Sequence, residues 1–304
     1  MKNPGRSGFV AVVGRPNVGK STLINALVGR KVSIVTPKPQ TTRHRILGIR
    51  NVDDCQIVFV DTPGLHRDAT KVLNRMMNRS AASALADADL LMFVSEAGRW
   101  TDEDDDVMQK VKSSGIPAFA ILNKIDKLPR RDALLEHIGT ISARHAFAEI
   151  VPISATRRDN LEALLKLIPG HLPESPPLFP DDMFSDRDER FRAAEVVREK
   201  LTLNLRQELP YGLTVQIEQF DRNESGVTIH AVIWVERDSQ KGIVVGKAGS
   251  MLKQIGRSSR LELREALKVP VHLELWVRVK DNWADSERDL QQLGFDPPAD
   301  SAID

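Results

Sequence analysis

Disulfide chemistry is excluded at once. The 304-residue chain has one cysteine, Cys55, so no disulfide can close within it, and a reducing, cytoplasmic setting is expected. Cys55 lies in the apolar run CQIVFV and reads as a small buried core residue. Long hydrophobic runs are missing too. No stretch approaches the roughly 20 apolar residues of a membrane-spanning helix. The opening MKNPGRSG has basic residues but no apolar segment behind them, so it does not read as a secretory signal. Any membrane contact is therefore expected to be peripheral, at the inner face of the cell membrane. Net charge is nearly absent: 43 Lys and Arg stand against 42 Asp and Glu. The whole-chain balance names no partner, and charge has to be read locally. Repeats and low-complexity segments are also lacking.

What is present is an alternation. From Gly8 to about Ile168, short apolar runs (9–13, 55–60, 90–95, 117–122 and 149–154) alternate with longer helical stretches. Continuous apolar strands separated by helices indicate a mostly parallel, doubly wound α/β sheet covered on both faces. The proline-rich run PGHLPESPPLFPDD (169–182) then reads as a semi-rigid linker. Beyond it the order is α-β-β-α-β-α: a helix over 186–209, strands over 213–221 and 226–236, a helix from a glycine-spaced loop to about Lys268, a strand over 271–280 and a short last helix. This is a smaller α+β unit. The domains are expected at 1–170 and 186–304, with the linker over 171–185.

Chemistry concentrates at the ends of the first set of strands. Gly14-Arg15-Pro16-Asn17-Val18-Gly19-Lys20-Ser21 matches G-x4-G-K-[ST] between an apolar strand and a helical pattern that begins with Thr22, the context this phosphate-binding loop requires. Its backbone N–H groups and the helix N-terminus surround phosphate oxygens. Lys20 is expected on the β- and γ-phosphates and the Ser21 hydroxyl on Mg2+. Asp61-Thr62-Pro63-Gly64 closes a second strand, with Asp61 placed to hold Mg2+ through a water and the Gly64 N–H to meet the γ-phosphate. Asn123-Lys124-Ile125-Asp126 closes a third. A carboxylate at Asp126 can accept from guanine N1–H and its 2-amino group, whereas adenine would leave it unpaired. Lys124 can lay its stem along the base. Ser154-Ala155 can offer a backbone N–H to guanine O6. Each tetrapeptide alone is a polar turn; their order and placement at carboxyl ends of strands make the joint reading specific.

In the second part, Gly246-Lys247-Ala248-Gly249 between an apolar run and a helix fits the GXXG loop of a KH domain, which clamps the backbone of about four nucleotides. Residues 241–268 carry seven Lys or Arg, Lys253 and Arg257 among them, against two acids. That is an electrostatic footprint for nucleic acid on a neutral protein. A glycine turn before a solvated basic helix is the plainer alternative. Trp276, on a strand with Leu273, Leu275, Val277 and Val279, is expected to pack rather than stack on a base.

The motifs GRPNVGKST, PQTTRHRI, DTPGLH, NKID, ISA, LPYG and HLELWVRVK together resemble the translation-factor-like branch of Ras-type GTPases and, more narrowly, the Era family, over nearly the whole chain. The resemblance implies a GTPase that cycles between GTP and GDP with Mg2+, joined to a type II KH domain that binds small-subunit (16S) ribosomal RNA near its 3′ end. It implies a role in assembly of the 30S subunit. PQTTRHRI (39–46) would be switch I, where one of Thr41 and Thr42, with Thr42 favoured, coordinates Mg2+. Lys20, Thr42 and Gly64 would then carry hydrolysis. Where Ras-like enzymes carry a water-orienting glutamine this chain has Leu65, and slow basal turnover is expected. His66, the nearest polar residue, reads as a solvent-exposed loop histidine. Asn17 suggests a substitute, its side chain helping to hold K+ near the β- and γ-phosphates. The competing readings are a GTPase of RNA modification or large-subunit assembly, and a peripheral-membrane signalling GTPase with the basic helix against lipid. A monomer is expected.

Overall fold

In a computed structural model the described residues are 5–64, 71–128, 130, 132–205 and 209–295. The chain divides into two compact units. The first runs to Asp186; the second begins at Arg187 and also takes in Ile34–Thr41 and the stretch that ends at Met76.

The first unit contains β1 (Arg6–Val13), α1 (Lys20–Val28), β2 (Ile46–Val52), β3 (Cys55–Asp61), the part of α2 (Val72–Ala86) from Met77 onward, β4 (Leu90–Glu96), α3 (Asp102–Ser114), β5 (Ala118–Asn123), α4 (Asp132–Arg144), β6 (Glu149–Pro152) and α5 (Leu161–Leu167). The sheet order is β2-β3-β1-β4-β5-β6. All pairings are parallel except β2 on β3. Every residue of β3 and β5 is buried, which is why these strands read as unbroken apolar runs. Cys55 is buried among them, and burial pushes its thiol pKa up. On one face Leu91, Phe93, Val107, Met108 and Val111 close a core between the sheet and α3.

Two elements of this unit escape the sequence reading. The edge strand β2 is short and ends in polar residues, so its pattern is weak. Helix α4 buries only Ile141 among its described residues, so it carries little apolar periodicity. The proline-rich stretch lies along the β2–β3 side of the sheet. Gln56 Oε1 accepts from the backbone N–H of Leu178 and Phe179, both at 2.8 Å, and its Nε2 donates to Phe179 O. Phe184 O accepts from Ile49 N–H at 3.0 Å. Phe179 and Met183 pack on Leu47, Ile49, Val58 and Val60. The bond from Ile49 N–H occupies a backbone group that the edge strand β2 would otherwise leave open.

The second unit contains α6 (Glu189–Asn204), β7 (Leu213–Asn223), β8 (Gly226–Val235), α7 (Asp238–Val245), α8 (Ser250–Leu267), β9 (Val271–Val279) and α9 (Glu287–Gln292). Asp188 caps α6, accepting from Phe191 N–H at 2.7 Å; such a cap contributes about 1 kcal/mol. The sheet is β7-β8-β9, with β7 antiparallel and β9 parallel to β8. Val197, Leu201, Leu213, Ile233, Val244 and Ile255 form its core with helices on one face.

The second unit departs from the expected pattern in two places. The order is α-β-β-α-α-β-α, because α7 precedes the glycine loop. Its residues DSQKGIVV end in three β-branched side chains, which disguises a helix. Its start is fixed by Gln240, whose Oε1 accepts from Glu236 and Arg237 N–H. Trp276 does not pack in the core. Successive strand side chains point to opposite faces, so Leu273, Leu275, Val277 and Val279 turn inward and Trp276 outward. It is 39% exposed, with its ring edge-on to His230 at 5.2 Å.

Candidate functional site

Residues 14–21 join the buried strand β1 to α1. Gly19 has φ +102° and no room for a side chain, since a Cβ there would stand 2.4 Å from Asn123 Nδ2. Both constraints favour glycine. Lys20 folds back over the loop, and its Nζ donates to Gly14 O at 2.8 Å and Arg15 O at 3.0 Å. Burial lowers its pKa to about 8; Asp61 pulls it up and Arg15 pushes it further down. Val18 is fully buried, while Asn17 is exposed and left-handed, with φ 63°. Thr22 is half-buried in the first turn of α1.

Asp61 ends β3 fully buried. Its Oδ2 accepts from Ser21 Oγ at 2.8 Å and from Thr42 Oγ1 at 3.4 Å, and the two hydroxyls stand 3.0 Å apart. Its Oδ1 is buried with no hydrogen-bond partner. Burial pushes the Asp61 carboxyl pKa up, against the nearby hydroxyls of Ser33, Ser21 and Thr42 and the Lys20 charge. A dry carboxylate oxygen beside two hydroxyls is a donor set that suits a hard divalent cation. Thr41 is differently engaged, with its hydroxyl 2.6 Å from Thr36 Oγ1 and donating to Lys38 O at 2.7 Å. The geometry thus places Thr42, not Thr41, beside Ser21 and Asp61. Thr62 is buried and donates to Val12 O. Gly64, after Pro63, lies against Pro16. Leu65 and His66 fall outside the described residues.

The loop after β5 is fastened to the loop over residues 14–21. Asn123 Nδ2 donates to Val18 O at 2.8 Å, and its Oδ1 accepts from Lys124 N–H and Ala155 N–H. Lys124 is left-handed, with φ 67°, and its Nζ donates to Asn17 O at 2.7 Å. Ser154 Oγ donates to Asp126 Oδ1 at 2.6 Å, orienting the carboxylate. Residues from four separate loops therefore meet at the carboxyl ends of β1, β3, β5 and β6.

Two acids that the sequence reading passed over join this set. Arg15, almost fully buried, donates through Nε to Asp104 Oδ2 at 3.0 Å, and its Nη2 lies 3.4 Å from Glu96 Oε2. The available signals were the place of Glu96 at the last residue of a strand and the Thr101-x-x-Asp104 spacing of a helix cap.

In the second unit, Gly246 (φ 73°) is followed by a turn over Lys247–Gly249 with Ala248 left-handed, and α8 starts at Ser250. Ile255, Ser259 and Leu263 bury one face of α8. Lys241, Lys247, Lys253, Arg257, Arg260, Arg264 and Lys268 are all exposed. One of the two acids, Glu262, is taken up by Lys200, so the open face is more basic than the sequence count.

Comparison with known proteins follows the same division. Residues 9–124 match the family model described as 50S ribosome-binding GTPase, and 208–284 match that of the KH domain. The chain is 48% identical to GTPase Era of Marinobacter nauticus over 295 residues, 97% of both chains. It is 47% identical to GTPase Era of Yersinia enterocolitica, covering 95% of each. Among solved structures, Era in complex with MgGDPNP and nucleotides 1506–1542 of 16S ribosomal RNA superposes with a TM-score of 0.92 at 40% identity, over 96% of this chain and 99% of that one. A point variant of Aquifex aeolicus Era bound to GDP.AlF4- gives 0.92 at 41% identity, over 95% and 99%. With loop geometry, domain order and full-length similarity all in agreement, the chain belongs to the Era family of GTPases.

Proposed function

We propose that residues 1–170 bind and hydrolyse GTP, that 186–304 hold small-subunit ribosomal RNA near its 3′ end, and that 171–185 separate the two working parts. The observation that carries the first half is the meeting of four loops around residues 14–21. The second half is supported by the exposed basic face of α8 behind Gly246–Gly249, together with likeness over 96% of the chain to an Era solved with a 16S fragment. The reading over both parts favours small-subunit assembly above large-subunit assembly, for which the model description covers residues 9–124 alone. The protein would act as a cytoplasmic monomer on the 30S subunit. No described helix is long and apolar enough to cross a membrane, and any contact with the inner membrane face would use the basic side of α8.

Each residue has a proposed task. Backbone N–H groups of 15–21 cradle the phosphates and Lys20 neutralises them. Ser21, Thr42 and, through a water, Asp61 would hold Mg2+, which supplies positive charge to the β- and γ-phosphate oxygens. The Gly64 N–H meets the γ-phosphate. Asp126 and Lys124 read and support guanine, and Ala155 N–H meets O6. Water attacks the γ-phosphorus as its bond to the bridging oxygen breaks, leaving GDP and phosphate. The exposed Asn17 side chain would help hold K+ where charge develops. Phosphate release is therefore expected from GTP and not ATP, and faster in K+ than in Na+. Equal rates with the two cations would remove the K+ assignment, and release from ATP would remove the guanine reading.

Lys20 gives a pH dependence. The free protein holds it near pKa 8, and bound phosphates favour its charged form. Binding near that pH therefore takes up a proton, and affinity falls as pH rises through 8. Calorimetry of GDP binding with Mg2+ in buffers of different ionisation enthalpy is expected to show about half a proton taken up at pH 8 and about a tenth at pH 7, above the range where the terminal phosphate itself titrates. Equal uptake at both would mean that Lys20 is already charged in the free site.

A further inference from the structure

Glu96 ends β4 directly opposite Asn123 in the β4–β5 register, and Ala97 N–H donates to Asn123 O at 2.8 Å. That register brings the Glu96 carboxylate between two cations. Its Oε2 accepts from Lys124 Nζ at 3.0 Å and lies 3.4 Å from Arg15 Nη2. The side chains are largely shielded, with Arg15 at 8%, Glu96 at 19% and Lys124 at 21% of full exposure. Charge pairs in such surroundings are screened less than surface pairs.

The network continues on both sides. Arg15 Nε reaches Asp104 Oδ2, which also accepts from Thr101 N–H at 3.0 Å and Thr101 Oγ1 at 2.9 Å. Asp104 is thus fixed at the start of α3, and Arg15 with it. Lys124 Nζ, at the other end, holds the Asn17 carbonyl. Residues 15 and 17 of the phosphate loop are therefore tethered separately, and Glu96 is the group common to both tethers.

We infer that Glu96 is a positioning residue for guanine-nucleotide binding: its carboxylate holds Lys124 against the phosphate loop and Arg15 against α3, so that the base-supporting lysine and residues 15–17 are preset before nucleotide arrives. This rests on the guanine-nucleotide reading of these loops. A preset site loses less order on binding, and the effect appears mainly in the dissociation rate. Lys20 and Ser21 make no bond to Glu96, and Lys20 meets Arg15 only through its backbone carbonyl, so the effect is expected on binding rather than on the chemical step. The carboxyl pKa of Glu96 is held low by Lys124 and Arg15 against the opposing effect of its partial burial, in keeping with a charged link at neutral pH.

The test uses the full chain as wild type, Glu96→Gln and Glu96→Asp, with stopped-flow release of fluorescently labelled GDP and steady-state GTP hydrolysis. Glu96→Gln is expected to release GDP about tenfold faster, equivalent to about 1.4 kcal/mol, and to raise KM by a similar factor with kcat within about twofold. Glu96→Asp, which keeps the charge one carbon shorter, is expected between the two, and it carries the comparison should Glu96→Gln fail to fold. Unchanged release, a fall in kcat at constant KM, or Glu96→Asp releasing as fast as Glu96→Gln would overturn the inference. Labelled ADP on the wild type separates the two levels: tight ADP retention would overturn the guanine reading itself.

Discussion

Replacing Asp126 with Asn is expected to weaken GTP binding by at least about 100-fold and to create binding of xanthosine triphosphate. Guanine presents two adjacent donors, N1–H and the 2-amino group, and a carboxylate accepts both. An amide accepts one and sets its own N–H against the other, leaving a desolvated donor without a partner, which costs on the order of 1–3 kcal/mol in addition to the lost charge-assisted bond. Xanthine carries an oxygen in place of the amine and restores complementarity. The orientation of the group is fixed beforehand, because Ser154 Oγ donates to Asp126 Oδ1 at 2.6 Å. In the Asp126→Asn variant the amide oxygen can keep that bond, which turns the NH2 toward the base. Displacement of a fluorescent nucleotide by GTP and by xanthosine triphosphate measures both effects. Unchanged GTP affinity would show that Asp126 does not read the base.

Placing Asp at Gly249 is expected to lower affinity for RNA of the 16S 3′ end by on the order of 100-fold, through repulsion of phosphate and loss of close backbone approach. The two glycines of the loop are not equivalent. At Gly246 a Cβ would stand 2.7 Å from Met251 Cβ and 3.0 Å from Met251 N, so any side chain there displaces the start of α8. At Gly249 the nearest atom, Lys253 Cε, is 4.0 Å away. The cost at Gly249 is the left-handed backbone, φ 75°, about 1 kcal/mol and less for Asp or Asn than for most residues. Gly249→Asn therefore serves as the control that shares the backbone cost without the charge. Fluorescence anisotropy with a labelled RNA should find Asn much closer to wild type than Asp. Equal, small effects for the two would remove the loop from the RNA interface.

The parts of this molecule that the sequence discloses are local. The phosphate loop, DTPG, NKID and the Ser154-Ala155 pair each sit at the end of a strand whose apolar run is unmistakable, and the chain order of these signals is itself informative. Geometry that depends on distant partners is not disclosed. Thr41 and Thr42 are indistinguishable as letters; one hydroxyl faces Thr36 and Lys38 O, the other Ser21 and Asp61, because the backbone places neighbours on different sides. Arg15 meets Asp104 across 89 positions, and no pattern in either segment announces it. Trp276 illustrates a different failure. Its strand alternates cleanly, and counting parity from Leu275 and Val277 puts the ring on the outer face. Helix α7 is hidden because Ile243, Val244 and Val245 favour strands in isolation, while the bonds from Glu236 and Arg237 to Gln240 start a helix.

One chain joins a GTPase to a domain that binds small-subunit RNA. Crosslinking of the wild-type protein to RNA in cells, with sequencing of the bound fragments, tests it most directly. Crosslinks concentrated near the 3′ end of small-subunit ribosomal RNA are the predicted result. Crosslinks concentrated on large-subunit or transfer RNA, or none above background, would contradict it.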